Sequence, residues 1–278
     1  MRKLIATIGA YFIYALIWIF GRTHKRGDVP WLMGPLGGDV IADRAYEEVA
    51  AREGLQIERN AKHGGLIPAW SMIGSPNVDP KISDFYEHTA EFAMDVWSKT
   101  YFPANLALWL LVTTISRQVN QLNFPMSPLD TAMGMGSEII LMTEPSGQVK
   151  YTGWFRTLPG AEKRTIYTGF YMAAQVPAEP TPCVKVVFPM PRGNATVILR
   201  PKSVNGALEL DSGGGTFGGA GFYRVQARGE DKVTVWKIRT LKEHFRVFVD
   251  DKGALRCDHK VSFLGLPVLR LHYKMFRA

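Results

Sequence analysis

The feature that most constrains the fold is a long series of short segments in which apolar and polar residues alternate. Alternation with a period of two places the apolar side chains on one face of a β-strand. Turn-forming residues such as Asn205-Gly206 separate the segments, and no helical period interrupts them. The sequence therefore predicts eleven antiparallel strands, at 138–143, 149–156, 165–173, 183–188, 194–200, 206–211, 221–227, 232–238, 244–250, 254–263 and 268–276.

About ten such strands usually form a closed barrel or a two-layer sandwich. The predicted fold class is α+β, with an N-terminal membrane-anchor helix, a short helical region and a large antiparallel β-barrel or β-sandwich. A calycin-like closed barrel is favoured. The segment around Trp154 resembles the glycine-x-tryptophan strand of such barrels, although Gly153 and Trp154 are adjacent here. A helix-grip fold is disfavoured, because it needs a long C-terminal helix and this chain ends in a predicted strand.

A barrel of this size can enclose one apolar small molecule. The ligand-binding candidates are aromatic residues of the predicted strands, namely Trp154, Phe170, Tyr171, Tyr223 and Trp236. The alternative is an ordinary filled core, in which the same aromatic side chains only pack against one another.

Residues 4–20 form an uncharged apolar run with basic residues on both sides. A helix of this length rises about 26 Å, slightly less than a hydrocarbon core of about 30 Å. Bulky and charged residues follow the run, which disfavours a cleaved signal peptide. We expect residues 1–28 to be a membrane anchor, either single-pass or interfacial. The alternative is a helix buried in the following domain.

Residues 29–136 are predicted to be Gly/Pro-rich connections and helices that pack on a β domain at residues 137–278. One helix is expected at 43–54, with Gly54 at its C-terminus. Another is expected at 104–122, and its apolar first half would face the core or a ligand cavity.

A third helix is expected at 83–97. At helical spacing, four polar residues would share one of its faces: Asp84, His88, Glu91 and Asp95. Carboxylates and an imidazole on one stripe could form a general acid/base site. The alternative is the solvated face of an amphipathic helix.

The net charge of +8 is unevenly distributed, with +4 over residues 1–28, −5 over residues 29–136 and +9 over residues 137–278. A basic surplus favours phosphate-bearing partners. In the last predicted strand, Leu269, Leu271 and Tyr273 alternate with three basic residues, Arg270, His272 and Lys274. These three are candidates for contact with a membrane surface. The alternative is a solvated outer face of the sheet.

The run from Ser212 to Gly221 contains six glycines. It could form an anion-binding nest or a lid, or it could be a plain strand connection. It does not match a P-loop or a dinucleotide fingerprint. Cys183 and Cys257 are too few for a disulfide framework or a zinc site, and their pairing stays open. No cofactor or metal is expected.

The leading hypothesis is a membrane-anchored protein that binds a hydrophobic or lipid-like ligand in or beside its β domain. A first alternative is an enzyme that acts on an apolar substrate by general acid/base chemistry, such as a cyclase, isomerase or hydrolase. Its further candidate residues are Glu87, Asp130, Glu138, His244 and His259. A second is a membrane-tethered interaction protein with a filled core. Nucleic acid is not an expected partner, because basic and aromatic residues do not interleave in a known binding motif.

Overall fold

Antiparallel strands make up most of the protein, which a computed structural model describes over residues 15–37, 44–103, 135–158 and 164–278. Helix α1 spans Ala45–Glu53, and helix α2 spans Pro80–Glu87. The strands are β1 Arg22–Lys25, β2 Gln56–Glu58, β3 Phe92–Thr100, β4 Gly136–Thr143, β5 Val149–Leu158, β6 Arg164–Ala174, β7 Cys183–Met190, β8 Gly193–Val204, β9 Ala207–Asp211, β10 Gly221–Arg228, β11 Lys232–Ile238, β12 Leu241–Val249, β13 Leu255–Phe263 and β14 Leu266–Arg277.

All eleven strands predicted from the alternation are present, as β4 to β14. The turn residues act as expected between them. Asn205 and Gly206, which join β8 to β9, have φ angles of 50° and 75°. Positive φ at both central residues is what a type I′ hairpin turn requires.

The strands form two sheets that share the long strand β8. Its first half pairs with β10, and its second half pairs with β9. The first sheet therefore has the order β2-β4-β5-β6-β7-β8-β10-β11-β1, and the second has the order β8-β9-β12-β13-β14-β3. One apolar core contains residues of both sheets, such as Val186 from the first and Val247 from the second. The two sheets thus face each other across that core.

The predicted closed barrel is wrong, because the sheet does not close on itself. Among the described strands, β2 pairs only with β4 and β3 pairs only with β14, so each is an edge. The alternation alone could not distinguish a closed barrel from an open sheet, because it defines inner and outer faces but not which edge strands pair.

The first sheet is covered on its outer face as well. Tyr46 of α1 is fully buried there against Phe155 and Phe170. Further along the same face, Trp31 packs edge-on against Tyr223. Helix α1 confirms the helix predicted at 43–54, and Gly54 follows it with a φ of 65°.

The helix predicted at 83–97 is wrong in its second half. Helix α2 ends at Glu87, and Phe92–Thr100 is strand β3, paired with β14. Met94, Val96 and Ser98 are buried and alternate with exposed residues. Pairing with β14 explains why this period-two pattern prevails over a helical spacing.

The chain before residue 29 contributes to the first sheet, because β1 pairs with β11. Residues 15–20 are helical and precede β1. Most of the predicted anchor at 4–20, and the helix predicted at 104–122, lie outside the described residues. Within the part of the chain that the structure describes, no helix is long and apolar enough to cross a membrane.

Candidate ligand site between the two sheets

The inner face of the second sheet presents its side chains in aligned rows, because residues paired across antiparallel strands share a face. We call the end where β13 turns into β14 the hairpin end. The row nearest to it consists of Glu243, Val261, Leu269 and Thr100. The second row consists of Phe245, His259, Leu271 and Ser98. The third row consists of Val247, Cys257, Tyr273 and Val96.

His259, in the second row, is a buried imidazole with an unused nitrogen. Its ring stacks on Phe245 with centroids 3.8 Å apart. Its Nε2 lies 3.7 Å from Oε1 of Glu243 and has no hydrogen-bond partner among the described groups. The Oγ of Ser98, in the same row, is likewise buried without a partner there. A buried polar atom left unbonded costs about 1–3 kcal/mol.

Arg156 reaches the same core from β5 of the first sheet and is only 1% exposed. Its guanidinium carbon lies 4.7 Å from the ring centroid of Trp154. Its two terminal nitrogens contact the sulfurs of Met94 and Met135, at 2.8 and 3.8 Å. Nε has no partner, and no described carboxylate forms an ion pair with Arg156. The cation is therefore surrounded by aromatic and thioether groups.

Three partly buried tyrosines pack against the same core, namely Tyr167, Tyr171 and Tyr273. Burial raises the pKa of Tyr167 and of Tyr273, and the positive charge of Arg156 opposes the rise at both. Glu243 raises the pKa of both, so these two hydroxyls are within electrostatic reach of both charges. Burial, followed by Tyr167, raises the pKa of Tyr171. All three hydroxyls are neutral hydrogen-bond donors at physiological pH.

A groove of about 510 Å³ lies at the hairpin end. The first-row residues Glu243, Val261 and Leu269 form part of its wall. Four basic residues also line it: Lys242, His244, Lys260 and Arg270. The first row, which lines the groove, is adjacent to the row of His259.

Chemically, the interior combines an anion receptor with an acid/base pair. A guanidinium can hold a carboxylate or phosphate by two parallel hydrogen bonds. An imidazole beside a carboxylate can transfer a proton. The described residues contain no group of three or more His, Cys, Asp or Glu that would hold a metal ion. We call the set Arg156, Tyr167, Tyr171, Tyr273, Glu243, His259 and Ser98 the interior polar cluster.

The aromatic residues predicted to bind ligand are divided between the two faces of the first sheet. Trp154 and Tyr171 lie together in the interior, with ring centroids 5.6 Å apart. Phe170 lies on the outer face beneath α1, and Tyr223 packs there with Trp31. Trp236 stacks on Phe20. Only the first two therefore belong to the candidate site.

The predicted acid/base stripe does not form, because its residues lie on different elements. Asp84 and His88 are 3.0 Å apart and exposed, at the end of α2. Arg277 donates to Asp84 and contacts Glu91. Asp95 lies on the exposed side of β3. Asp84 and Glu91 therefore form surface ion pairs with Arg277.

The predicted membrane-contact residues Arg270, His272 and Lys274 share the outer face of the second sheet, as the alternation indicated. Arg270 and His272 both bind Asp258, at 2.9 and 2.7 Å. Burial raises the pKa of Asp258, but these two hydrogen bonds and charges outweigh it and hold that pKa below its usual value. This face is therefore mixed in charge.

Two charged side chains form hydrogen bonds with the glycine-rich run, residues 212–221. Glu179 accepts a hydrogen bond from the amide of Ala220 at 2.9 Å. Lys237 donates to the carbonyls of Gly215 and Ala220, at 2.7 and 2.9 Å. Burial, together with Arg239, lowers the pKa of Lys237 to about 8. Because Lys237 binds carbonyl oxygens of the run, the run acts as a strand connection that hydrogen bonds hold in place.

Cys183 and Cys257 are both free and buried. Cys183 packs in the cluster on the outer face of the first sheet, whereas Cys257 packs in the core between the sheets. Comparison of the chain with protein-family models, with curated proteins and with solved structures returned no match. The functional argument therefore rests on the interior polar cluster.

Proposed function

We propose that the protein works at a membrane and binds, between its two sheets, a largely apolar small molecule that carries an anionic group. Arg156 is the observation that carries this proposal. Its guanidinium is buried among Trp154 and two methionine sulfurs, without a carboxylate partner among the described residues. A buried charge without a counter-charge is strongly destabilising. A ligand carboxylate or phosphate would supply both the counter-charge and two hydrogen bonds.

The surroundings of Arg156 support an apolar body for the ligand. Trp154 and Tyr171 offer ring faces, and Phe245 and Leu271 line the facing sheet. Tyr167 and Tyr273 add hydroxyl donors close to the same cation. A pocket with mostly apolar walls and a few convergent polar groups is typical of small-molecule sites.

The proposed membrane location rests on the sequence of residues 4–20 and on the basic surplus at the two ends of the chain. A lipid-like ligand is then available beside the protein. The anchor and the ligand site support each other, because an amphiphile with a charged head and an apolar body partitions into bilayers.

Ligand binding is tested by extracting the full chain, purified in a mild detergent, with organic solvent and identifying bound molecules by mass spectrometry. We expect an anionic amphiphile from the wild type and none from Arg156→Met. Arg156→Lys should keep part of it, because the charge stays while the paired hydrogen bonds are lost. Arg246→Met removes an exposed arginine from the outer face and is the matched control. An empty wild type, or equal loading of Arg156→Met, would contradict the proposal.

A second candidate function is acid/base catalysis on that ligand, and the His259–Glu243 pair favours it. The distance of 3.7 Å and the unpartnered Nε2 leave the imidazole free to exchange a proton with a bound molecule. His259→Gln and Glu243→Gln should then keep the ligand bound but stop its conversion. Conversion at the wild-type rate in both variants would rule out this role.

A further inference from the structure

The hairpin end exposes large apolar side chains from two separate segments. Leu264, in the turn between β13 and β14, is 67% exposed, and Leu266, the first residue of β14, is 57% exposed. Phe102, just after β3, is 81% exposed. The amide of Tyr101 donates to the carbonyl of Val268 at 3.2 Å, which places Phe102 beside the same turn. Water contact with this much apolar surface is unfavourable, so such a patch indicates an interaction site.

The N-terminal segment reaches the protein at this end too. Phe20 stacks on Trp236 of β11, two residues before the end of that strand. The turn after β11 is tied to the hairpin, because the amide of Leu264 donates to the carbonyl of Thr240 at 2.8 Å. Three exposed apolar side chains precede β1 here: Trp18, Ile19 and Phe20.

Basic side chains lie near these apolar side chains. Lys260 and Arg270 are direct cross-strand neighbours on the outer face, and Lys99 faces Arg270 on its other side. Lys242 and Arg239 lie nearer the turn that joins β11 to β12. Of these five, only Arg270 has an ion-pair partner among the described residues, namely Asp258. Like charges placed opposite one another are destabilising, and an anionic surface would relieve the repulsion.

The opposite end of the second sheet has a different character. There the turn between β12 and β13 consists of Asp250, Asp251, Lys252 and Gly253. Asp250 accepts hydrogen bonds from the turn amides and from Arg256. This turn is polar and carries no large exposed apolar side chain. Exposed apolar side chains are more numerous at the hairpin end than at the other end of the sheet, where Phe276 is 42% exposed.

We propose that the hairpin end docks on an anionic lipid bilayer. Leu264, Leu266 and Phe102 enter the interface, while Lys260, Arg270 and Lys242 contact the headgroups. Apolar tips with basic residues behind them match the layered chemistry of a bilayer surface. Trp18, Ile19 and Phe20, the last residues of an apolar run in the sequence, are exposed at this same end. A second copy is the poorer occupant, because a two-fold contact would set the same cations against each other.

Docking gives the groove a function. The 510 Å³ groove opens at the hairpin end, so a molecule leaving the bilayer would enter past Glu243 and Leu269 toward the interior polar cluster. This inference rests on the membrane location in the proposed function and adds which end faces the lipid. It does not depend on the identity of the ligand.

Depth-dependent fluorescence on the full chain tests the docking. Leu264→Cys and, as the matched control, Lys252→Cys are labelled with nitrobenzoxadiazole, since both native cysteines are buried. The protein is mixed with phosphatidylcholine vesicles that contain phosphatidylglycerol and a spin-labelled lipid quencher. We expect a blue-shifted, quenched label at 264 and an unquenched label at 252. Introducing Lys260→Glu into the labelled Leu264→Cys protein should weaken its partitioning into the vesicles by about fivefold or more. Each surface cation contributes about that factor to the partitioning.

Three results would overturn the inference, and each of them excludes a different part of it. Equal quenching at 264 and 252, or deeper quenching at 252, refutes the docking end but leaves the membrane location intact. Full-chain protein that does not bind vesicles at all refutes the location and the docking together. A 264 signal that depends on protein concentration without vesicles identifies a second copy as the occupant. Ligand loading at Arg156 is measured separately and is unaffected by any of these.

Discussion

The guanidinium carbon of Arg156 lies 4.7 Å from the ring centroid of Trp154, in a core that supplies it with no carboxylate from the described residues. A cation over an aromatic face gains about 0.5–2 kcal/mol. That gain is smaller than the desolvation penalty of a buried ion, which is several kcal/mol. The buried cation is therefore expected to lower the stability of the ligand-free protein.

Arg156→Met should raise the free energy of unfolding of the ligand-free protein by about 1–3 kcal/mol, because methionine fills the space without an ionic group. Urea unfolding in the same detergent measures the change. Arg246→Met, on the exposed outer face, should stay within about 0.5 kcal/mol of wild type. A clear loss of stability in Arg156→Met would show that the arginine is structural.

Lys185 predicts a pH dependence of stability. It is 3% exposed, and burial lowers its pKa to about 8, from 10.5 for an ordinary lysine. Between these values the unfolded chain binds more protons than the fold, so stability should rise as the pH increases from 8 to 10.5. Lys185→Met should remove this contribution and add about 1–2 kcal/mol at pH 7. Parallel stability profiles of wild type and variant would contradict the assignment.

Glu179 predicts a loss of stability in acid. Its carboxylate accepts a hydrogen bond from Arg200 at 2.7 Å and another from Ala220. The bond with Arg200 holds the pKa of Glu179 below the usual 4.5, so its contribution is complete above pH 4.5 and is lost as the pH falls further. Glu179→Gln should lose about 1–3 kcal/mol at pH 7.

Because Glu179 fastens the glycine-rich run, the variant should also be cleaved there more readily under limited proteolysis at pH 7. The difference in unfolding free energy between wild type and Glu179→Gln should shrink below pH 4.5. An equal difference at all pH values would mean that the charge of Glu179 is unimportant.

Gly153 predicts a steric limit where α1 packs on the first sheet. A Cβ at this position would lie 2.5 Å from Cε1 of Tyr46, which is fully buried. Gly153→Ala should therefore lose about 1–3 kcal/mol of unfolding free energy. Gly27→Ala is the control, because a Cβ there meets nothing within 4 Å. Equal stability of both variants would show that Tyr46 can move aside.

The strand pattern was predictable because alternation is local, whereas closure of the sheet was not. Edge strands β2 and β3 come from a region whose composition indicated helices and connections. Phe85 of α2 and Phe92 and Val96 of β3 follow a helical spacing in sequence, which concealed the alternation of Met94, Val96 and Ser98 in β3. Pairing with β14, more than 160 residues away in sequence, decided the outcome.

The candidate site was only partly predictable. Trp154 and Tyr171 were identified by residue type, but Arg156 and Glu243 were missed. The alternation of side chains along each strand contained a usable signal, because residues an even number of positions apart share a face. His259 follows Arg256 by three residues and therefore faces the opposite side, together with the buried Cys257. The same alternation places Glu243 on the face of β12 that carries Phe245 and Val247. Which inner residues meet across the two sheets depends on pairing, which no local pattern encodes.

Quenching of Trp154 by a brominated long-chain fatty acid tests the central claim most directly, because it reports whether an anionic amphiphile lies beside Arg156. The account predicts saturable quenching in the wild type, loss of that component in Trp154→Phe, and binding weakened by about tenfold or more in Arg156→Met. Saturable quenching that is the same in wild type and Trp154→Phe, or no quenching at all, would contradict the account.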